Sequence, residues 1–240
     1  MIYYNICQSL NIKIIGIYPQ AQTALYSCDV WEDHKFIDRI GFLKINYEPI
    51  LAKAILMKKA IPTDLISAGM SGFSLKLLIS GKLKSILEKQ QNIGMQFFKS
   101  AIIFKENEIE DYWVVNPYDF DYEYIDFSMS KVFLMKNVFE RKEELSIKSF
   151  DEFLENRDKI EKLGYPYSIL IEKIKLVDIL NKDFLIFQNV EGGLKYIVSE
   201  KLKKEIEDAG CTGIEFQPTE LSYNEWTAPG GEREKVYGKV

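Results

Sequence analysis

Two stretches of this chain share one hydrophobic pattern. In each, an unbroken apolar triplet, Leu77-Leu78-Ile79 or Tyr196-Ile197-Val198, runs into a serine and then a lysine-rich segment whose apolar residues recur at helical spacing. A triplet bounded in this way suits a buried strand. Ser80 and Ser199 stand where a side chain can accept from the free backbone donors of a new helix. In the second stretch Leu202, Ile206 and Ala209, at i, i+4 and i+7, predict the buried helical stripe. Gly210 predicts its end, since glycine most easily takes the left-handed cap conformation. A short strand over 214–216 follows and Pro218 stops it. The first stretch does the same with Leu83, Ile86 and Leu87, then a strand over 95–98.

Laid over each other with an offset of 119, residues 75–97 and 194–216 are identical at nine of 23 positions, among them Ser80/Ser199, Lys82/Lys201, Lys84/Lys203, Glu88/Glu207, Gly94/Gly213 and Phe97/Phe216. Two copies are too few for a solenoid, which needs about three or more. The pattern predicts an α+β fold of two related halves, each with a strand-helix-strand unit, mixed sheets and packed helices. The halves divide as 1–130, with the first copy, and 131–240, with the second. One continuous globular domain with a loose tail over 222–240 fits as well.

Elsewhere the pattern is coarser. Residues 48–60 have helical character, with Lys53, Lys58 and Lys59 on the wet side, and stop at Ile61-Pro62 because the residue before proline avoids the helical region. Strands are expected over 101–104, 111–115 and 120–127, with Asn116-Pro117 as a turn. The clearest helix is 149–163, opened by a capping box of Ser149 with Glu152 and closed by Gly164 and Pro166. Strands over 168–176 and 184–187 follow, around a turn at 181–183. The stretch 222–240, with Pro229-Gly230-Gly231, reads as a loosely held tail.

Composition works by exclusion. The chain has 240 residues, 47% hydrophobic and 13% aromatic, too apolar for disorder and sized for one large domain or two lobes. Its 36 acidic against 31 basic residues argue against a nucleic-acid binder, which needs a basic footprint, and leave room for a basic protein partner. There is no basic leader, and the apolar stretch 12–17 is interrupted by Lys13 and too short to span a membrane, so a cytoplasmic, unprocessed protein is expected. Cys7, Cys28 and Cys211 have neither disulfide-framework nor zinc spacing, which fits a reducing compartment.

The search for catalytic chemistry returns little. His34 is the single histidine; Asp29, Glu32, Asp33 and Asp38 surround it, but without a second histidine the solvated acidic loop is the favoured reading over a metal site. Ser80-Gly81-Lys82 follows a strand as a phosphate loop would, yet the full motif is missing and the repeat places Glu200 where an anion would sit, so Ser80 is read as a helix cap. No GxSxG occurs. No catalytic residue, cofactor or metal is therefore assigned. Catalysis by carboxylates alone stays open, because any pair among 36 acids could meet in a cleft.

Charge is unevenly spread. Residues 106–126 carry eight acids, Glu106, Glu108, Glu110, Asp111, Asp119, Asp121, Glu123 and Asp126, and no base, which leaves +3 on the rest of the chain. Tyr112, Trp113, Tyr118, Phe120, Tyr122, Tyr124 and Phe127 are interleaved with them. One reading is a half-buried strand, with Phe120, Tyr122 and Tyr124 on one face and Asp121 and Glu123 on the other. The other is a protein-binding surface, in which an acidic field speeds encounter with a basic partner and tyrosine and tryptophan supply hot spots. Its candidate residues are Tyr112, Trp113, Tyr118, Asp119, Asp121, Tyr122, Glu123, Tyr124 and Asp126.

Tyr112-Trp113-Val114-Val115-Asn116, then Ile125-Asp126 and Ser130, and finally the run from Tyr196 through Ser199 and Leu202 to Gly210-Cys211-Thr212-Gly213 and Phe216 resemble a family of bacterial immunity proteins found beside polymorphic toxin genes and formerly catalogued as a domain of unknown function. The likeness covers 61–216. It implies an α+β fold and an intracellular, non-enzymatic role in which the protein binds and neutralises a cognate toxin; a basic, nuclease-like toxin domain suits the acidic strip. The rivals are a cryptic carboxylate-dependent hydrolase with a cleft between the halves, and an adaptor for a partner that is not a toxin.

Overall fold

A computed structural model of the chain describes residues 2–90, 94–137, 140–178 and 181–239. Positions 91–93 of the first repeat copy and 240 of the tail lie outside them. In chain order the elements begin with β1 (Tyr3–Gln8), α1 (Ile12–Ile15), β2 (Ala21–Leu25), β3 (Lys53–Leu56), β4 (Leu65–Ile66), β5 (Leu78–Ser80), α2 (Gly81–Leu87), β6 (Met95–Lys99), β7 (Ile102–Phe104), β8 (Asn107–Ile109) and β9 (Tyr112–Pro117). They continue with β10 (Lys131–Lys136), β11 (Glu140–Leu145), α3 (Phe150–Leu163), β12 (Tyr167–Lys173), β13 (Phe184–Val190), β14 (Gly193–Ser199), α4 (Glu200–Asp208), β15 (Ile214–Pro218), α5 (Tyr223–Thr227) and α6 (Glu232–Tyr237). The strands form three sheets, ordered β11-β10-β12-β13-β14-β1-β15, β2-β3-β7-β8 and β4-β5-β9-β6. The fold is α+β with mixed sheets.

Both predicted strand-helix-strand copies are present. Ser80 and Ser199 cap α2 and α4, their hydroxyls accepting from Leu83 N and Leu202 N, each at 3.2 Å. Leu83, Ile86 and Leu87 of α2 and Leu202 and Ile206 of α4 are buried, whereas Ala209 is exposed just past the helix end. The likeness extends beyond the sequence repeat. β9 lies between β5 and β6, antiparallel to both, and β1 lies between β14 and β15 in the same way. Registers agree as well: Ser80 faces Tyr112 and Ser199 faces Tyr3, while Phe97 faces Val115 and Phe216 faces Ile6.

The middle strands are exchanged. After β1, which completes the sheet of β14 and β15, the chain reaches Gln20, whose Oε1 accepts from Ser67 N beside β4 at 2.9 Å. After β9, which completes the sheet of β5 and β6, it reaches Asp121, whose Oδ2 accepts from Ile186 N in β13 at 2.7 Å. Ser67 and Ile186 are again 119 apart. Each unit thus opens with a strand built into the other's sheet, and a cut at residue 130 leaves β1 among the C-terminal strands. One core, including Leu77, Leu83, Val115, Tyr196, Leu202 and Phe216, joins the facing sheets and their two helices.

Several local expectations are corrected. Residues 48–60 hold β3, with Ala52, Ala54 and Leu56 buried alternately and Lys53 turned out to Glu108; pairing with β2 and β7 overrides the lysine-rich composition. Asn116 and Pro117 end β9 rather than forming a turn. Tyr122–Tyr124 is a turn of 3₁₀ helix, so Phe120, Tyr122 and Tyr124 do not share a strand face. The tail is not loose: Trp226 and Arg233 are each 2% exposed, and α5 opens with a complete capping box of Ser222 and Glu225. The helix capped by Ser149 forms as expected.

Candidate functional site

The nine strip residues do not form one surface. Tyr112 and Tyr122 are buried. The Tyr112 hydroxyl donates to Thr63 O at 2.9 Å inside the strand-exchanged sheet. Asp121 is buried too, in an ion pair with Lys182 and bonded to Ile186 N. Burial pushes its carboxyl above the usual range, outweighing the pull of these two partners. Trp113 is half-buried under Lys84, whose Nζ lies 4.6 Å from the ring centroid. Tyr118 and Tyr124 are half-buried as well, with Lys44 and Lys182 over their rings. Asp126 accepts from Ser128 N and Oγ. Asp119 and Glu123 alone of the nine are exposed.

The wider acidic segment behaves the same way. Glu108 pairs with Lys53 at 2.7 Å and Glu110 with Lys99 at 3.1 Å. Exposed Glu106, Asp111, Asp119 and Glu123 make no ion pair among the described residues. The concentrated charge therefore persists, thinned by three lysines drawn from outside the segment. Around His34 the acidic residues act as loop caps: Asp29 Oδ1 accepts from Trp31 N at 2.8 Å and Asp33 Oδ1 from Lys35 N at 2.9 Å. Among the described residues no group of three or more His, Cys, Asp or Glu could hold a metal ion.

A cleft of about 510 Å³ opens where the two units meet. Leu75 and Leu77 line it from one unit and their repeat equivalents Leu194 and Tyr196 from the other. β1 contributes Ile6 and Cys7, and the tail contributes Tyr223 and Trp226. The carboxylate on this wall is Glu215, buried on β15. It accepts from Ser9 Oγ at 3.0 Å and Leu10 N at 2.9 Å, and from the Arg233 guanidinium twice, each at 2.7 Å. Burial pushes the Cys7 thiol up to about 12, so it is neutral near pH 7. A second cleft of about 390 Å³, holding Trp31, Phe36 and Phe42, shares Ser74, Leu75 and Lys76 with the first.

Sequence reasoning missed the Glu215–Arg233 pair, although a signal existed. Glu215 aligns with Gln96, so both copies carry a long polar side chain between two apolar residues of the final strand, Met95 and Phe97 in one and Ile214 and Phe216 in the other. Gln96 uses it to bracket Ile45, accepting from its N and donating to its O, both at 2.7 Å. Each residue pins an incoming segment to its sheet. Among the described residues no helix is long and apolar enough to cross a membrane. No protein-family model matches this chain, and no curated protein matches it.

Proposed function

We propose that this chain is a stoichiometric protein-binding inhibitor, an immunity protein that neutralises a cognate bacterial toxin domain, and that it uses the exposed part of the acidic segment to meet a basic partner. The observation that carries the reading is the division within residues 106–126. Most of the aromatic side chains pack into or against the fold, while Glu106, Asp111, Asp119 and Glu123 stay exposed and without ion-pair partners among the described residues. Such a fixed acidic field raises the encounter rate with a basic surface.

The rival hydrolase requires two carboxylates in a cleft with their pKa values pushed apart. On the wall of the cleft between the two units Glu215 stands, among the described residues, without a second carboxylate, and Arg233 already holds both of its oxygens. This speaks against that cleft as a carboxylate-dependent active site. Co-expression with the toxin encoded beside this gene tests the reading, scored by cell survival and co-purification. Protection with a one-to-one complex is expected; an unprotected cell with both proteins soluble would overturn it.

A further inference from the structure

We propose that the cleft of about 390 Å³ walled by Trp31, Phe36 and Phe42 binds the carboxylate of a small organic acid, and that the Lys76 ammonium holds it. The inference goes beyond the inhibitory reading and does not depend on it.

Lys76 carries a buried charge with no counter-charge beside it. Its side chain, just ahead of β5, is 5% exposed. The ammonium donates to Gly41 O at 3.2 Å and to Asn116 Oδ1 at 3.1 Å, and it lies 5.4 Å from the centroid of the Phe42 ring. All three of these groups are neutral, and Lys76 makes no ion pair among the described residues. An ammonium has three donors, so one N–H is left for an acceptor from outside. Burial lowers its pKa, and Asp38, too far away to pair with it, opposes that only in part. A charge kept out of water in this way is costly until an opposite charge joins it.

The repeat identifies the missing partner as a carboxylate. Lys195 holds the equivalent place in the second unit, and there Glu191 meets the ammonium at 3.5 Å. The residue equivalent to Glu191, 119 positions earlier, is Gly72. No side chain fits at that position: Gly72 has φ +97°, and a Cβ would stand 2.7 Å from Ala52 Cβ. The first unit thus keeps the lysine, lacks the carboxylate that answers it in the second, and has a cleft beside it.

The lining matches one acid group. Gly41 and Phe42, which surround the ammonium, also line the cleft, so the charged end of Lys76 borders it. Arg39 on the same lining is exposed and makes no ion pair among the described residues. Asp38 is the carboxylate of this lining, and its Oδ2 accepts from Gly72 N at 2.6 Å. Lys76 and Arg39 against Asp38 leave one positive charge in excess, which a monocarboxylate balances and a dianion overshoots. The volume lies within the ~300–1,000 Å³ usual for small-molecule sites, and exposed Trp31 offers apolar surface to the rest of the acid.

The test titrates the full-length, nitrogen-15-labelled protein with sodium acetate and, at matched ionic strength, with acetamide and with sodium chloride. Acetamide has the shape of acetate without its charge, and chloride has the charge without the shape. Saturable amide shifts centred on residues 38–42 and 71–76 are expected with acetate alone. Lys76→Met should weaken acetate binding by about tenfold or more, the worth of one hydrogen bond to a charged group. If that variant does not fold, Asn116→Asp, which sets a carboxylate against the same ammonium, should likewise suppress the shifts. Absence of saturable shifts with acetate, equal binding of acetamide or chloride, or undiminished affinity in a folded variant overturns the proposal. Any of these outcomes leaves the immunity reading standing, since no toxin enters the experiment.

Discussion

Arg233 in α6 and Glu215 in β15 face each other as a two-pronged ion pair, Nε to Oε2 and Nη2 to Oε1, with both side chains 2% exposed. This contact fastens the C-terminal helices to the strand beside β1. Removing one partner strands the other charge out of water, at a cost of about 3–5 kcal/mol. Arg233→Met should therefore lower unfolding free energy by that order in urea titrations. Arg233→Met combined with Glu215→Met should recover at least half of the loss, because no lone charge is left. Equal instability of the single and double variants would mean that packing, not charge, holds the tail.

A second expectation concerns acid. Asp64 accepts from Ser80 Oγ at 2.6 Å and pairs with Lys82 at 3.1 Å; Asp183 accepts from Ser199 Oγ and pairs with Lys201, both at 2.6 Å. Burial raises both carboxyls, but these partners, together with Thr212 N at Asp64, bring each below the usual range. A carboxyl depressed in the folded state stabilises above its unfolded pKa of about 3.9 and loses that contribution as pH falls through the folded value. Stability should thus fall below about pH 4. Asp64→Asn and Asp183→Asn should flatten that limb. Asp121 has the opposite sign, its carboxyl being raised, so Asp121→Asn should not flatten it. Thermal midpoints measured between pH 2 and 7 decide this; an unchanged acid limb in Asp64→Asn would remove the assignment.

The strip should divide experimentally as it does structurally. Asp119→Lys with Glu123→Lys changes two exposed side chains, and surface substitutions of this kind stay within about 0.5 kcal/mol. On the proposed inhibitory reading, its association rate with a cognate toxin should fall and the salt dependence weaken, read by stopped flow. Asp121→Lys instead buries a cation beside Lys182 and should cost stability before any binding is measured. An association rate unchanged in the first variant would place the interface elsewhere.

What the sequence made legible was local. Ser80, Ser199 and Ser149 announce three helices because an N-cap needs only neighbouring residues, and the offset of 119 announces the repeat. β3 was not legible: Lys53, Lys58 and Lys59 look like a wet helical face, and only the neighbouring strands impose the two-residue period that buries Ala54 and Leu56. The acidic segment misled for a related reason. Its carboxylates are neighbours in sequence, yet Asp121 finds its counter-charge at Lys182, 61 positions away. A cleft between the halves could be expected from the repeat, but its lining could not, since its walls join residues 6–10, 73–77, 194–196 and 223–227, which no local spacing connects.

Strand exchange gives the last prediction. Tyr3 and Tyr112 occupy equivalent places, their hydroxyls donating to Lys182 O at 3.1 Å and Thr63 O at 2.9 Å, carbonyls that are 119 residues apart. If β1 is an integral middle strand, removing residues 1–9 does more than trim an end. It takes Tyr3 and Ile6 from the core, each contributing roughly 1.5–3 kcal/mol by burial, and leaves facing edges of β14 and β15 unpaired. Against a total stability of about 5–15 kcal/mol, the loss should abolish the cooperative thermal transition. A synthetic peptide of residues 2–9, added in excess, should restore it, because the slot between β14 and β15 has the same register as that filled by β9. A truncated protein that still melts cooperatively near the original midpoint would show that β1 is an accessory strand and that the two units do not depend on the exchange.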